Sequence, residues 1–370
     1  SLHDPQHRPT SPVANPPLSR RTDLLRFLEA LAIGVAGGVT FAWLGVPAGY
    51  LSGAMLAVAA ASLWGRPLHL PTPFMHLTSA TIGMTLGSVA SPAMMHSLGA
   101  YPASLAIVGV GTAAVIVAST FYLRFVHGWD TLSAILAATP GALSQMIALS
   151  VETKSDTVGV SIAQTLRVVL LIALLPLALA VAGYSIESSG LPRGPVASLA
   201  SLPILILGSL ATGYLFFRLH FPGGWLFGAM FGSGLLHGFD LVDGGLPLWL
   251  VAAATISIGT MSGTRFAGIG IATLIRYVGA GAGSLVVALI VMTVFFLVDV
   301  WLVKVQVQDT AMAFAPGAMD VMMAIALTMH LDPVFVGAHH LFRFLGVSVT
   351  MPFVIRAVAP KASELPESEI

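Results

Sequence analysis

The sequence predicts an all-α polytopic membrane protein with two homologous, inverted repeats of five to six helical segments, each containing a helix broken at Pro-Gly. Three observations predict this fold class. Of the 370 residues, 56% are hydrophobic and 9% are charged, whereas globular domains carry about 25% charged residues. Apolar segments near the length of a membrane span recur along the whole chain. Two of them carry a Pro-Gly pair at matching positions.

The composition also excludes several classes of function. The chain has sixteen basic and sixteen acidic residues, so it has no basic surface of the kind that binds nucleic acid. It has no cysteine, which excludes disulfides, thiolate metal sites and cysteine catalysis. No nucleotide-binding glycine motif lies in a strand–helix setting. We therefore expect neither an enzyme nor a cofactor-binding protein.

The chain divides into two membrane repeats. We predict a disordered polar N-terminal tail at 1–22, the first repeat at 23–183, a linker at 184–199, the second repeat at 200–358 and a polar C-terminal tail at 359–370. Hydropathy predicts twelve helical segments, at 24–44, 47–64, 74–90, 99–126, 130–150, 155–183, 200–219, 222–238, 246–264, 270–304, 309–329 and 333–357.

The evidence for duplication is a set of residues that recur at a fixed offset. The stretch from Thr139 to Pro176 has a second copy 176 residues further on, without a gap. Chance similarity between apolar helices would not reproduce both Pro-Gly breaks and both charged positions in register. The recurring residues of the first copy are Pro140, Gly141, Ala142, Met146, Ala148, Asp156, Val158, Val160, Arg167 and Pro176.

The orientation of the repeats depends on how many segments cross the membrane. If all six segments of each half cross, the halves are parallel. If one segment per half does not cross, the halves are inverted, and nearly all Lys and Arg residues fall on one face, with Arg193 and Lys304 on the other. Cytoplasmic loops collect Lys and Arg. The charge count therefore favours the inverted arrangement, five crossings per half and both termini in the cytoplasm.

The two Pro-Gly breaks predict the binding site. Proline removes an intrahelical hydrogen bond, and the half-helix after each break presents free N–H groups and a positive dipole end. Broken helices in corresponding positions of two repeats indicate the substrate site of a transporter. The first break contributes Pro140, Gly141, Ser144 and Gln145, and the second contributes Pro316, Gly317 and Asp320.

The helix after each break adds a second set of polar residues. These are Gln164 and Arg167 in the first half and His339, His340 and Arg343 in the second. Arginine suits carboxylate or phosphate, and we assign Gln164, Arg167, His340 and Arg343 to substrate binding. Ionisable residues inside apolar segments are candidates for function, so Asp320, His339 and His340 are the candidates for ion coupling.

Structural roles are the alternative for the same residues. The arginines would then clamp Asp156, Asp332 or Asp320, and the two histidines would only hydrogen-bond backbone carbonyls. A metal site is not expected, because adjacent histidines do not readily face one centre. The Gly-x-x-x-Gly pairs, Gly83/Gly87 and Gly259/Gly263 among them, are typical of close helix packing.

The two Pro-Gly segments, Met146 and Met322, and the run Asp332-Pro333 to Arg343 resemble the AbrB family of duplicated bacterial membrane proteins. Members of that family carry the labels ammonia monooxygenase and AbrB-type regulator. The resemblance covers nearly the whole chain. At the breaks, family members resemble the pattern "PGG" followed by an acid. This chain has Pro-Gly-Ala in both copies, and Ser144 and Gln145 stand where an acid is expected in the first copy, so a symmetric pair of acids is not expected here.

We expect a secondary transporter of a small, anionic metabolite, coupled to H⁺ or Na⁺, in the bacterial inner membrane. The expected partners are the substrate or ion, the lipid bilayer and, as an option, a second copy of the chain. The alternative is a membrane-embedded sensor or regulator of gene expression without transport. A membrane oxygenase is the least favoured reading, since it needs clustered metal ligands.

Overall fold

The computed structural model describes residues 20–89, 101–183 and 195–358, and within them the chain folds into fourteen α-helices with no strand. The helices are α1 Arg20–Trp43, α2 Gly49–Leu63, α3 Thr72–Val89, α4 Tyr101–His127, α5 Thr131–Ala138, α6 Leu143–Glu152, α7 Thr157–Val181, α8 Ser201–Arg218, α9 Gly224–Gly238, α10 Leu248–Thr264, α11 Ile271–Val303, α12 Val307–Phe314, α13 Met319–Thr328 and α14 Pro333–Val358.

Six of these helices (α1, α4, α7, α8, α11 and α14) are long and apolar enough to cross a membrane. Several of them carry large apolar side chains on their outer surface, such as Val110, Leu207 and Ile290. An exposed apolar belt is what lipid-facing helices require, because the bilayer solvates it. The fold is therefore that of a multi-pass membrane protein. The number of crossings and the cytoplasmic position of the termini stay predictions.

The tails and the linker lie largely outside the described residues. The predicted tail at 1–22 overlaps α1, which already begins at Arg20. The described part of the linker pairs with the segment before α10 through an isolated bridge between Val196 and Gly245. The C-terminal tail from 359 onward is not described.

Both predicted breaks occur, at slightly different bounds. The chain leaves helical geometry between α5 and α6 and again between α12 and α13. The half-helix after the second break, α13, begins at Met319 and not directly at Pro316, since the extended backbone at Ala315 and Ala318 delays the first turn. The bounds of α5, α6 and the start of α7 recur 176 residues later in α12, α13 and α14.

Close contacts between small residues join the two halves of the chain. Helix α3 packs on α9, and α2 packs on α10. A Cβ added at Gly83 would overlap the carbonyl oxygen of Leu226, and one added at Gly259 would overlap that of Leu51. The predicted role of these glycines in helix packing is confirmed. Equivalent helices thus exchange partners across the halves, which is what a two-fold repeat would produce.

At each break, one hydrogen bond joins the start of the following helix to the half-helix before the break. The backbone N–H of Asp156 donates to Ser133 Oγ at 2.8 Å, and that of Asp332 donates to Asp309 Oδ1 at 3.0 Å. Asp156 and Asp332 also accept from backbone N–H groups in the first turns of α7 and α14. These acids are therefore helix caps, and neither forms the predicted clamp with an arginine.

Candidate functional site

The second half-helix of each break begins without a capping side chain. Ala142 precedes α6 and Ala318 precedes α13, and neither has a side-chain oxygen that could cap the first turn. Among the described residues, no partner accepts from the N–H groups of the first three residues of either half-helix. Gly141 adopts φ +91°, a left-handed conformation that favours glycine. Two uncapped, positive helix ends therefore lie at the breaks.

The two helix ends face a common cavity of about 350 Å³. Gly141, Ser144 and Gln145 line it from the first break, and Asp320 lines it from the second. A further cavity of about 600 Å³ shares Leu143, Ser144, Arg265 and Asp320 with it and extends to His69 and His76. The structure thus brings together the break residues that carry polar side chains.

Arg265 is a member of this site that sequence reasoning missed. It follows α10 directly and lines both cavities. The charge count placed it with the loop residues of the cytoplasmic face, because it lies just beyond an apolar segment. Its Nη1 is buried and has no hydrogen-bond partner among the described residues. No signal in a single sequence distinguishes such a residue from an ordinary loop arginine.

Asp320 and Arg265 are electrostatic neighbours across the cavity. They do not form a direct ion pair, since in the described part of the chain the one ion pair joins Arg66 and Glu29. Asp320 also forms no ion pair with Arg343, which was the predicted structural alternative. Both charged residues therefore line the cavity without a direct ion pair between them.

Arg167 and Gln164 bind the backbone of the first break. Arg167 donates through Nη2 to the carbonyl of Ala137 at 2.8 Å and through Nη1 to that of Thr139 at 3.1 Å. Gln164 Nε2 donates to the carbonyls of Leu136 and Thr139, both at 2.8 Å. These carbonyls belong to the last turn of α5 and its cap, which have no intrahelical donor. The two side chains therefore hold the break open from the α5 side.

Arg343 and His340 form the corresponding contact in the second half. His340 Nε2 lies 3.1 Å from the carbonyl of Met312, which can only accept, so Nε2 carries the proton. His340 Nδ1 then accepts from Arg343 Nη2 at 2.5 Å. Both ring nitrogens are engaged, and a second ring proton would face a guanidinium. This geometry disfavours the predicted role of His340 as a proton carrier.

The rest of Arg343 has no partner. Its side chain is 2% exposed, and Nε and Nη1 have no hydrogen bond among the described residues. Nε lies 3.4 Å from where a Cβ on Gly141 would be. Arg343 thus crosses from the second half to the first break, directly behind a residue that lines the cavity. Arg167, also buried, is its electrostatic neighbour.

The other predicted residues do not line the cavity. His339 Nδ1 bonds the carbonyl of Phe335, and Nε2 bonds Ser104 Oγ, each at 2.7 Å. Pro140 and Gly317 are buried in the breaks. Pro316 lines a separate, mainly apolar cavity of about 170 Å³ beside α11. No group of three metal-ligating side chains occurs in the described ranges.

Comparison with known proteins identifies the family of this chain. The model of the AbrB family, described as "Transition state regulatory protein AbrB", matches residues 2–88 and 50–359. The matches cover most of the sequence, so the chain belongs to the AbrB family of membrane proteins. It is also similar to "Uncharacterized protein YhjN" of Bacillus subtilis (strain 168), with 22% identity over 359 residues, 90% of this chain and 94% of that protein.

Proposed function

We propose that this AbrB-family protein is a secondary transporter of a small anionic metabolite, which binds between the two broken helices. The observation that carries the proposal is the excess of positive charge at the breaks. Arg265 lines the cavity, and the ends of α6 and α13 add uncapped N–H groups. Asp320 is the one acidic residue on the described cavity lining.

Asp320 balances Arg265, but the buried Arg167 and Arg343 beside the breaks have no ion pair in the described part of the chain. A buried cation without an anionic partner is costly, so such a site favours an anion that completes the charge balance. Oxyanions bind well at helix N-termini, because backbone N–H groups and the helix dipole both attract them. The guanidinium of Arg265 matches the geometry of a carboxylate or phosphate. The ligand class is therefore a small carboxylate or phosphorylated compound.

Coupling is assigned to Asp320 within the cavity, with H⁺ or Na⁺ as the ion. In the empty site Asp320 balances Arg265. An incoming anion competes for Arg265, and Asp320 then needs a proton or a cation, since an unpaired carboxylate in the membrane is unfavourable. Binding of the anion and of the coupling ion would thus promote one another.

The test begins with binding. Purified protein is heated with a panel of small carboxylates and phosphates, and ligands that raise Tm are selected. Arg265→Gln should abolish the stabilisation, whereas Arg276→Gln, which changes an exposed arginine on α11, should retain it. Equal stabilisation of both variants would exclude the proposed site.

Transport is then measured with the selected anion in proteoliposomes. Counterflow of labelled anion is expected with the native protein and not with Arg265→Gln. Binding without flux would instead favour the second candidate, a membrane-embedded sensor, which the regulatory description of the matching family supports. The same site would then report the anion to a partner rather than carry it.

A further inference from the structure

We propose that Asp299 is a proton-binding carboxyl group, connected through Ser104 to His339 and separate from the anion cavity. Asp299 lies near the end of α11, is 0% exposed, and has no hydrogen-bond partner for either carboxylate oxygen among the described residues. Neither cavity that contains Asp320 includes it. The proton site stands on this geometry alone; its role in coupling rests on the proposed transport.

Burial decides the protonation state that Asp299 adopts here. An ionised carboxylate with no ion pair and no hydrogen bond would cost many kcal/mol in a protein interior. In the described part of the chain Asp299 has no ion-pair partner, and the side chain that acts on it is the hydroxyl of Ser104. The neutral acid has one O–H donor to place. Ser104 is the side chain beside the carboxyl group, although the pair does not close to an ordinary hydrogen-bond geometry.

The hydrogen bonds around His339 fix the direction of the relay. Phe335 O can only accept, so Nδ1 of His339 carries its proton, and the unprotonated Nε2 accepts from Ser104 Oγ–H at 2.7 Å. The Ser104 oxygen is then free to accept from Asp299. When Asp299 gives its proton to Ser104 Oγ, the Ser104 hydrogen moves to Nε2. The products are an Asp299 carboxylate and a His339 imidazolium, with Ser104 unchanged.

Within the described ranges, the further titratable and charged groups near Tyr101 and His339 lie on three helices. Helix α4 contributes Tyr101, whose buried hydroxyl has no described partner, and α12 contributes Asp309. Helix α14 contributes Asp332, His340 and Arg343. Tyr101 is an electrostatic neighbour of Asp309 and Asp332, and Asp332 is partly exposed.

The position of His339 gives the proton site a connection to the anion site. His339 precedes His340, which holds Arg343 against the first break. Charge on His339 would repel Arg343, an electrostatic neighbour on the same helix. A proton that reaches His339 would thus change the position of Arg343 beside Gly141, because His339 and Arg343 both lie on α14. This is a physical route by which a proton influences anion binding without entering the cavity.

Infrared spectroscopy tests the protonation directly and needs no substrate. At neutral pH the native protein should show a C=O stretching band of a protonated carboxyl group that shifts in D₂O. Asp299→Asn should lose this band, and Asp240→Asn, at an exposed acid, should keep it. Asparagine mimics the neutral acid, so the variant should retain native Tm. An unchanged band in Asp299→Asn would refute the proton site.

Ser104→Ala is the second variant, and it leaves Asp299 in place. Loss of the serine oxygen should shift the frequency of the carboxyl band, and the NMR signal of ¹⁵N-labelled His339 should stop responding to a pH step. A native band frequency and a native His339 response would refute the relay. If these spectroscopic results hold while no anion is transported, the proton site stands and the proposed transport fails.

Discussion

The guanidinium of Arg343, on the last described helix, lies directly behind Gly141 in the first helix break. A Cβ on Gly141 would lie 3.4 Å from Arg343 Nε, so the glycine leaves just enough room for the arginine. Gly141 also adopts φ +91°. The contact joins the two halves of the chain at the wall of the proposed anion site.

Gly141→Ala should therefore destabilise the protein by two separate effects. A left-handed backbone costs alanine about 1–2 kcal/mol, and the added methyl group would lie 3.4 Å from Arg343 Nε, at the near limit of ordinary contact, so that Arg343 has no room to move toward the break. Gly45→Ala separates these effects, because Gly45 has φ +74° and no atom near its Cβ position. We expect a larger drop in Tm for Gly141→Ala than for Gly45→Ala. Equal drops would show that Arg343 moves away without cost.

Arg167→Met tests whether this arginine supports the break rather than the substrate. The change removes the hydrogen bonds to Ala137, Ala138 and Thr139, and buried bonds to a charged group are worth about 1.5–3 kcal/mol. We expect reduced stability in thermal or denaturant unfolding. Arg276→Met, at an exposed position, should stay within about 0.5 kcal/mol of the native protein. A stable Arg167→Met that no longer binds the anion would restore the predicted substrate role.

The sequence was sufficient to predict the broken helices, because Pro-Gly acts locally on the backbone. It also predicted the small-residue contacts at Gly83 and Gly259, since helix spacing determines which residues share a face. It did not place Arg265, because a residue just outside an apolar segment reaches the cavity only through tertiary packing. Asp299 had a usable signal: an acid within the apolar segment of α11 is unusual in a membrane helix.

Alanine substitutions at the crossed helices test the contact between halves. The methyl groups of Gly83→Ala and Gly259→Ala would overlap backbone carbonyl oxygens, which cannot move aside as a side chain can. We expect each variant to lose about 1–3 kcal/mol of stability. Gly346→Ala is the control, since its Cβ meets open space within α14 and alanine favours a helix by about 1 kcal/mol. Native stability in the first two variants would contradict this packing.

The predicted topology is testable by single-cysteine labelling, because the chain has no cysteine of its own. Arg124→Cys and Arg218→Cys should react with a membrane-impermeant thiol reagent from the cytoplasmic side. Lys304→Cys should react from the opposite side, and it serves as the control for membrane sidedness. All three positions are exposed in the fold. Labelling of Arg218→Cys only from the periplasm would exclude the inverted arrangement.

The last prediction concerns Asp320 and Arg265, which share the cavity without forming a direct ion pair. If they balance one another, their removal should affect anion binding in opposite directions. Asp320→Asn leaves a more positive cavity and should increase the anion-induced rise in Tm, whereas Arg265→Gln should abolish it. Asp240→Asn, which changes an exposed acid, should leave the anion-induced rise in Tm as it is in the native protein.

The stability of the variants without ligand gives an independent measure of the same pair. Each single change leaves one buried charge without its neighbour, and the double variant removes both charges. We therefore expect the double variant to be more stable than the sum of the single effects implies, with a coupling of about 0.5–3 kcal/mol. In vesicles, Asp320→Asn should lose accumulation driven by a pH or Na⁺ gradient and keep exchange of anion for anion. Equal loss of anion binding in both single variants would instead make the pair a structural element, because two residues that only support the fold should weaken binding in the same direction.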